Sequence, residues 1–176
     1  MTIIRDAIIE DIPVIRELAE VIWPPTYGAI LTKEQLDYML ELIYSTPALE
    51  QRMQEGDRFL ILETGGIPEG FASFGEIDPP GIFKLHKLYI LPGRQGSGFG
   101  RMLLEQVIRM VSALEASALQ LNVNRHNNAR HFYEKAGFRV VREEDINIGQ
   151  GYYMNDYVMQ YDLSRRPDKV RPGVSR

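Results

Sequence analysis

The chain contains no cysteine among its 176 residues. That excludes a disulfide scaffold, a thiolate metal site and a cysteine nucleophile, and it fits a reducing compartment. No stretch is apolar over the length a bilayer crossing needs, and Met1-Thr2-Ile3-Ile4-Arg5-Asp6 lacks the apolar core of a signal peptide. A cytoplasmic protein without membrane contact is the expectation. Excess positive charge is missing as well: 20 Lys and Arg stand against 24 Asp and Glu, a net of −4. Five of those basic residues and one acidic residue fall in the tail 164–176, leaving +4 there and −8 on the body. An acidic body argues against nucleic acid as a partner, because phosphate contacts need clustered Lys and Arg. It suits a cationic substrate, and equally serves plain solubility. What remains is ordinary for one globular domain with a real core: 44% hydrophobic and 25% charged residues, without internal repeats.

Hydrophobic spacing gives the elements. Ile3 and Ile4 open a short strand. Asp11 reads as the cap of a helix with Pro13 in its first turn and Ile12, Ile15, Leu18, Ala19 and Ile22 on one face. Trp23-Pro24-Pro25 is expected to stop it, since consecutive prolines lack the N–H groups of the ladder. Thr32 with Gln35 reads as a capping box ahead of Leu36, Met39, Leu40 and Ile43, and Thr46-Pro47 opens a third helix. The period then changes. Arg58–Glu63 and Gly70–Ile77 form a hairpin about Gly65-Gly66, and Phe83–Leu91 is a further strand. A helix carries Met102, Leu103, Gln106, Val107 and Met110, a strand runs from Leu119 to Val123, and a short helix bears Phe132 and Tyr133. Phe138–Arg142 and Tyr153–Tyr161 close the order. The result is one α/β (α+β) domain, residues 1–163, around a central mixed sheet flanked by helices, then a basic tail, 164–176, expected to be disordered.

Gly96, Gly98 and Gly100 alternate between a strand end and a helix start. Unpaired N–H groups at a helix start attract phosphate oxygens, and glycine lets the backbone come close. Such a turn also serves as a plain connector. Two familiar nucleotide loops fit poorly. A P-loop needs Lys-Ser or Lys-Thr after its last glycine, where Arg101-Met102 stands, and the dinucleotide fingerprint needs a third glycine where Arg101 stands.

A third pattern fits. Gln95-Gly96-Ser97-Gly98-Phe99-Gly100 after Leu88-Tyr89-Ile90-Leu91-Pro92 resembles the acetyl-CoA-binding motif of the GNAT superfamily of N-acetyltransferases. The run from Asn127 to Phe138 resembles the family's second signature. The resemblance implies a mostly antiparallel, twisted sheet whose middle strands splay. It implies a pantetheine arm bonded along Leu88, Tyr89 and Ile90, with the N–H of Tyr89 or Ile90 polarising the thioester carbonyl. Gln95, Gly96, Ser97, Gly98, Phe99 and Gly100 would hold the pyrophosphate, with Arg101 adding charge or simply facing solvent. Asn127 would bond the cofactor arm or cap its helix; the family's asparagine often sits where this chain has His126.

Tyr133 is implied as the acid that protonates departing CoA, against its plain use as a core aromatic. Glu76 and His86 are candidate bases. Trp23–Gly28 and Gly151–Met159 resemble PaiA-type polyamine acetyltransferases, with Tyr27 and Tyr152 as candidate acceptor contacts. Glu17, Glu20, Asp37 and Glu41 suit a polycation, or are solvated helix faces. Acetyl-CoA is the implied cosubstrate, no metal is implied, and a small amine, a polyamine by preference, is the implied partner. Dimers are common in the superfamily, so a homodimer is compatible. The alternatives are acetylation of a peptide N-terminus or lysine, and a catalytically weak acetyl-CoA-binding regulatory module.

Overall fold

A computed structural model describes residues 1–163; the expected disorder of 164–176 lies outside the described residues. The strands are β1 (Thr2–Asp6), β2 (Arg58–Thr64), β3 (Ile67–Ile77), β4 (Ile82–Ile90), β5 (Ala118–Asn124), β6 (Arg139–Gly149) and β7 (Tyr152–Asp162). The helices are α1 (Ile12–Tyr27), α2 (Lys33–Tyr44), α3 (Thr46–Gln54), α4 (Phe99–Ala113) and α5 (Ala129–Lys135). Among the described residues no helix is long and apolar enough to cross a membrane.

One seven-stranded sheet runs in the order β1-β2-β3-β4-β5-β7-β6. Every neighbouring pair is antiparallel except β4 with β5. Helices cover both faces, so β2 is apolar without alternation in composition. Its Leu60 and Leu62 join a core with Leu103, Leu104 and Val107 of α4, whereas Phe59 and Ile61 join one with Ile12, Ile15 and Leu49 on the α1–α3 side. Burying each such side chain contributes about 1.5–3 kcal/mol, and the two cores clamp the sheet between them.

The sheet opens in the middle. β4 and β5 pair only from Ile82↔Ala118 to Leu85↔Leu121, although both strands continue beyond. The cause lies on the other edge of β4. Ser73 pairs with Lys87 and Phe74 with Leu85, so His86 is an extra residue, a bulge that bends its strand. β4 leaves β5 at that point, giving the splay the sequence resemblance implied.

Three local expectations change. α1 does not stop at Trp23 but continues to Tyr27 with Pro24 and Pro25 inside it. The carbonyls these prolines cannot serve belong to Glu20 and Val21, both exposed residues open to water, and Gly28 N–H still donates to the Pro24 carbonyl at 2.8 Å. Asp11 stands at the N-cap position of α1 without a side-chain cap bond; its carboxylate turns back to Arg5 at 2.9 Å and to the Ile8 N–H at 2.8 Å. β6 runs past Arg142 to Gly149, because Glu143 and Glu144 lie on an edge strand, where Arg125 and Arg142 pair with them at 3.1 and 2.8 Å.

Candidate active site

The splay leaves a cleft of about 720 Å³ bounded by β4, β5, the glycine loop, α5 and the end of α1. At its mouth Gly96 and Gly98 adopt φ of +82° and +87°, a region that disfavours other residues, and a Cβ placed on either would point into open space. Gly98 ends the loop as the N-cap of α4. The N–H groups of Gly96, Gly98 and Gly100 have no acceptor among the turn and cap bonds of the described residues, while all three residues line the cleft. At Gly100 a Cβ would lie 3.6 Å from the Phe132 ring, so a small residue lets α4 start close to α5. The loop is therefore an unplugged row of donors at a helix start, which fits a diphosphate.

Leu91 N–H donates to the Glu69 carbonyl of β3 at 2.8 Å. Antiparallel pairs alternate between bonded and non-bonded, so Tyr89, opposite Phe71, also turns its backbone groups to β3. Leu88 and Ile90 turn theirs the other way, across the gap where β5 has departed. Of the two amides expected as carbonyl donors, Ile90 therefore faces the cleft and Tyr89 does not.

Tyr133 lines the cleft at 8% exposure. Its hydroxyl has no hydrogen-bond partner among the described residues, and it is absent from the fully enclosed unpaired atoms, so it opens on the cleft. Burial, followed by the nearby Tyr27, raises its pKa, so it stays protonated across the neutral range. The Tyr27 and Tyr89 hydroxyls are 2.8 Å apart. Asn127 caps α5, its Oδ1 accepting from Ala129 N–H at 2.9 Å.

A second cavity of about 230 Å³ continues on the α1–α3 side and shares Tyr27, Leu85, His86, Lys87, Tyr89 and Asn122 with the cleft. Its apolar walls include Trp23, Met39, Ile43 and Met154, and its charged groups are Lys84, Lys87 and Asp156. Two hydrogen bonds lie beside it. Gln35 Nε2 donates to the Tyr153 carbonyl at 3.1 Å, and the Tyr38 hydroxyl donates to the Ile148 carbonyl at 2.7 Å. α2 is thereby fastened to the β6–β7 hairpin.

Residues 29–157 match the family model for an acetyltransferase (GNAT) domain. The chain belongs to the GNAT family. An N-acetyltransferase of Mycobacterium tuberculosis, itself uncharacterized, is 36% identical over 81 residues, 46% of this chain and 51% of the relative. The match thus spans about half the length of that relative. An L-amino acid N-acyltransferase of Escherichia coli is 28% identical over 128 residues, covering 69% of this chain and 74% of its own. Among solved structures, the PaiA N-acetyltransferase of Thermoplasma acidophilum in complex with coenzyme A aligns with a TM-score of 0.79 and 25% identity, over 93% of this chain and 99% of that one.

The GNAT cleft gathers most of the expected residues: Leu88, Tyr89, Ile90, Gln95, Gly96, Gly98, Gly100, Arg101, Asn127, Tyr133, Tyr27 and His86 line it. Others lie elsewhere. Ser97 is turned back on the loop, hydroxyl and N–H both directed to the Arg94 carbonyl. The Phe99 ring packs on the α4 core. Arg101 pairs with Glu105 at 2.9 Å, while Arg94, also on the cleft, is held by the buried Glu69 at 2.9 Å. Tyr152 stacks on Tyr38 with ring centres 5.4 Å apart and lines neither cavity; its neighbour Tyr153 lines the second.

Neither expected base is well placed. Glu76 sits at the β3–β4 turn, accepting from Gly81 N–H at 2.8 Å, and lines neither cavity. His86 faces both cavities, but burial, helped by Arg52, Lys87 and Lys84, lowers its pKa to about 3, and its Nε2 lies 3.1 Å from the Arg52 guanidinium. Glu17, Glu20, Asp37 and Glu41 are exposed and line neither cavity, so they are solvated helix faces. Sequence reading missed Lys84, Lys87 and Asp156. The one available signal was alternation: Gln120, Asn122 and Asn124 put a polar face on a strand whose Leu119, Leu121 and Val123 are buried.

Proposed function

We propose that the protein is an acetyl-CoA-dependent N-acetyltransferase acting on the amine of a small molecule. Family membership and a fold shared with a coenzyme A complex support the donor; the unplugged donor loop and the splayed cleft support it independently. When bound, acetyl-CoA supplies an activated acetyl thioester. Gly96, Gly98 and Gly100 hold the diphosphate through their N–H groups. Ile90 N–H, turned across the gap, receives the negative charge that grows on the acetyl oxygen. Tyr133 delivers its phenolic proton to the departing sulfur. Asp156 is the one carboxylate lining either cavity among the described residues, and it takes the acceptor's proton in place of Glu76 and His86. The carrying observation is the unpartnered Tyr133 hydroxyl opening on a cleft beside a row of free N–H groups.

A cavity of about 230 Å³, below the roughly 300 Å³ at which pockets for drug-sized ligands begin, favours a small acceptor over a peptide; Gln35 and the Tyr153 carbonyl, bonded at 3.1 Å, join its two sides. Mixing the protein with acetyl-CoA and a panel of amines, amino acids and peptides, and following thiol release, tests the reading. Small amines should turn over and peptides should not. In the same assay Tyr133→Phe should lower kcat about ten- to a thousandfold without changing acetyl-CoA affinity; a wild-type rate would return Tyr133 to a purely structural role.

A further inference from the structure

We propose that the acceptor carries an acid group besides its amine, the acid held by Lys87 and Lys84 of β4 and the ammonium by Asp156 of β7. The acceptor class is an amino acid with an apolar side chain. This rests on the acetyl-transfer reading above and names the substrate of the same site.

The argument begins with the bulge at His86. Without it, residues 86 and 87 would face opposite sides of the sheet; with it, His86 and Lys87 both line the second cavity, and Lys84 joins them. Lys87 is 7% exposed, its ammonium 5.6 Å from the Tyr44 ring centre and 5.5 Å from that of Phe59. No ion pair among the described residues involves Lys84 or Lys87. Of the acids near them, Asp57 is engaged with Arg52 at 2.6 Å and Glu144 with Arg142 at 2.8 Å; Asp156 is near Lys84, and Lys87 has no acid besides Asp57. A buried cation without an anion is costly, and a ligand acid relieves that cost.

On β7, Asp156 lines the same cavity at 3% exposure, its Oδ2 accepting from Asn122 Nδ2 at 3.2 Å, leaving Oδ1 for a ligand. Two cations thus oppose one carboxylate, with His86 neutral. A polyamine would meet more repulsion than attraction there, whereas an amino acid presents one charge of each sign to the matching wall. Trp23, Met39, Ile43 and Met154 receive the apolar remainder.

The test compares, on the full-length wild-type protein with acetyl-CoA, leucine, methionine and phenylalanine against their carboxamides and spermidine. The free acids should show kcat/KM at least about tenfold higher than the amides, the scale of one charge-assisted bond. Equal or better turnover of amides or spermidine overturns the proposal while leaving acetyl transfer intact; turnover of no amine sinks both. Lys87→Met should raise KM for the acids about ten- to a hundredfold and KM for the amides by much less, so that the preference for acids over amides is lost. Calorimetric titration of the CoA-saturated protein with free leucine should show the same loss, and an unchanged affinity in the variant counts against the assignment.

Discussion

Lys87 and Tyr133 are both more than nine-tenths buried, and burial acts on them with opposite consequences. The phenol is neutral when protonated, so burial holds its proton in place. The ammonium is charged when protonated, and burial lowers its pKa from 10.5 to about 8, with Asp57 opposing and Arg52 adding to the fall. Tyr44 of α2, Phe59 of β2 and the neutral His86 complete its surroundings. The folded pKa lies below the unfolded one, so between pH 8 and 10.5 the unfolded chain binds more protons and stability rises with pH there. At pH 7 the charged lysine costs about 3 kcal/mol of folding stability. Lys87→Met should therefore raise Tm at pH 7, and thermal melts across pH should show the difference shrinking as pH rises through that window. A constant difference would mean that Lys87 is solvated. The family motif singled out Tyr133, whereas nothing local singled out Lys87: it shares the α1–α3 face with Tyr89 by plain alternation, and the bulge adds His86 to that face.

At the scale of elements, the glycine loop was readable because its chemistry is local: small residues, a helix start and free N–H groups occupy consecutive positions. The last turn of α1 was not. Two prolines read as a stop, yet both lie on the exposed side, and the turn they sit in carries Tyr27 to within 2.8 Å of the Tyr89 hydroxyl. The Thr32–Gln35 box was half right. Thr32 accepts from the Gln35 N–H at 3.2 Å, but the Gln35 amide crosses to the β6–β7 hairpin, a partner 118 residues away. That hairpin fastening predicts a separable effect. Tyr38→Phe removes the 2.7 Å bond to the Ile148 carbonyl, which should lower stability by about 1 kcal/mol and raise KM for the acceptor, with KM for acetyl-CoA unchanged. Equal kinetics in wild type and variant would show that the fastening does not shape the acceptor cavity.

Across the whole molecule, two hydrophobic cores pack on opposite faces of one sheet, and the sheet is parted where β4 leaves β5. The order of helices, hairpin, loop and closing strands was legible from periodicity, and the splay from the family resemblance alone. The bulge that produces it depends on strand register, which no local pattern encodes. Groups from β4, α4 and α5 meet in the parted region, so a ligand there ties together elements that otherwise meet only through the sheet. Saturating acetyl-CoA at about 100 times its Kd should add roughly 2.7 kcal/mol and raise Tm by about 5–10 °C. The most direct test is a calorimetric titration of acetyl-CoA into the wild-type protein and Gly98→Asp, whose carboxylate would enter the diphosphate's place. One-to-one binding by the wild type and none by the folded variant is the predicted result; equal affinity in both would contradict the account.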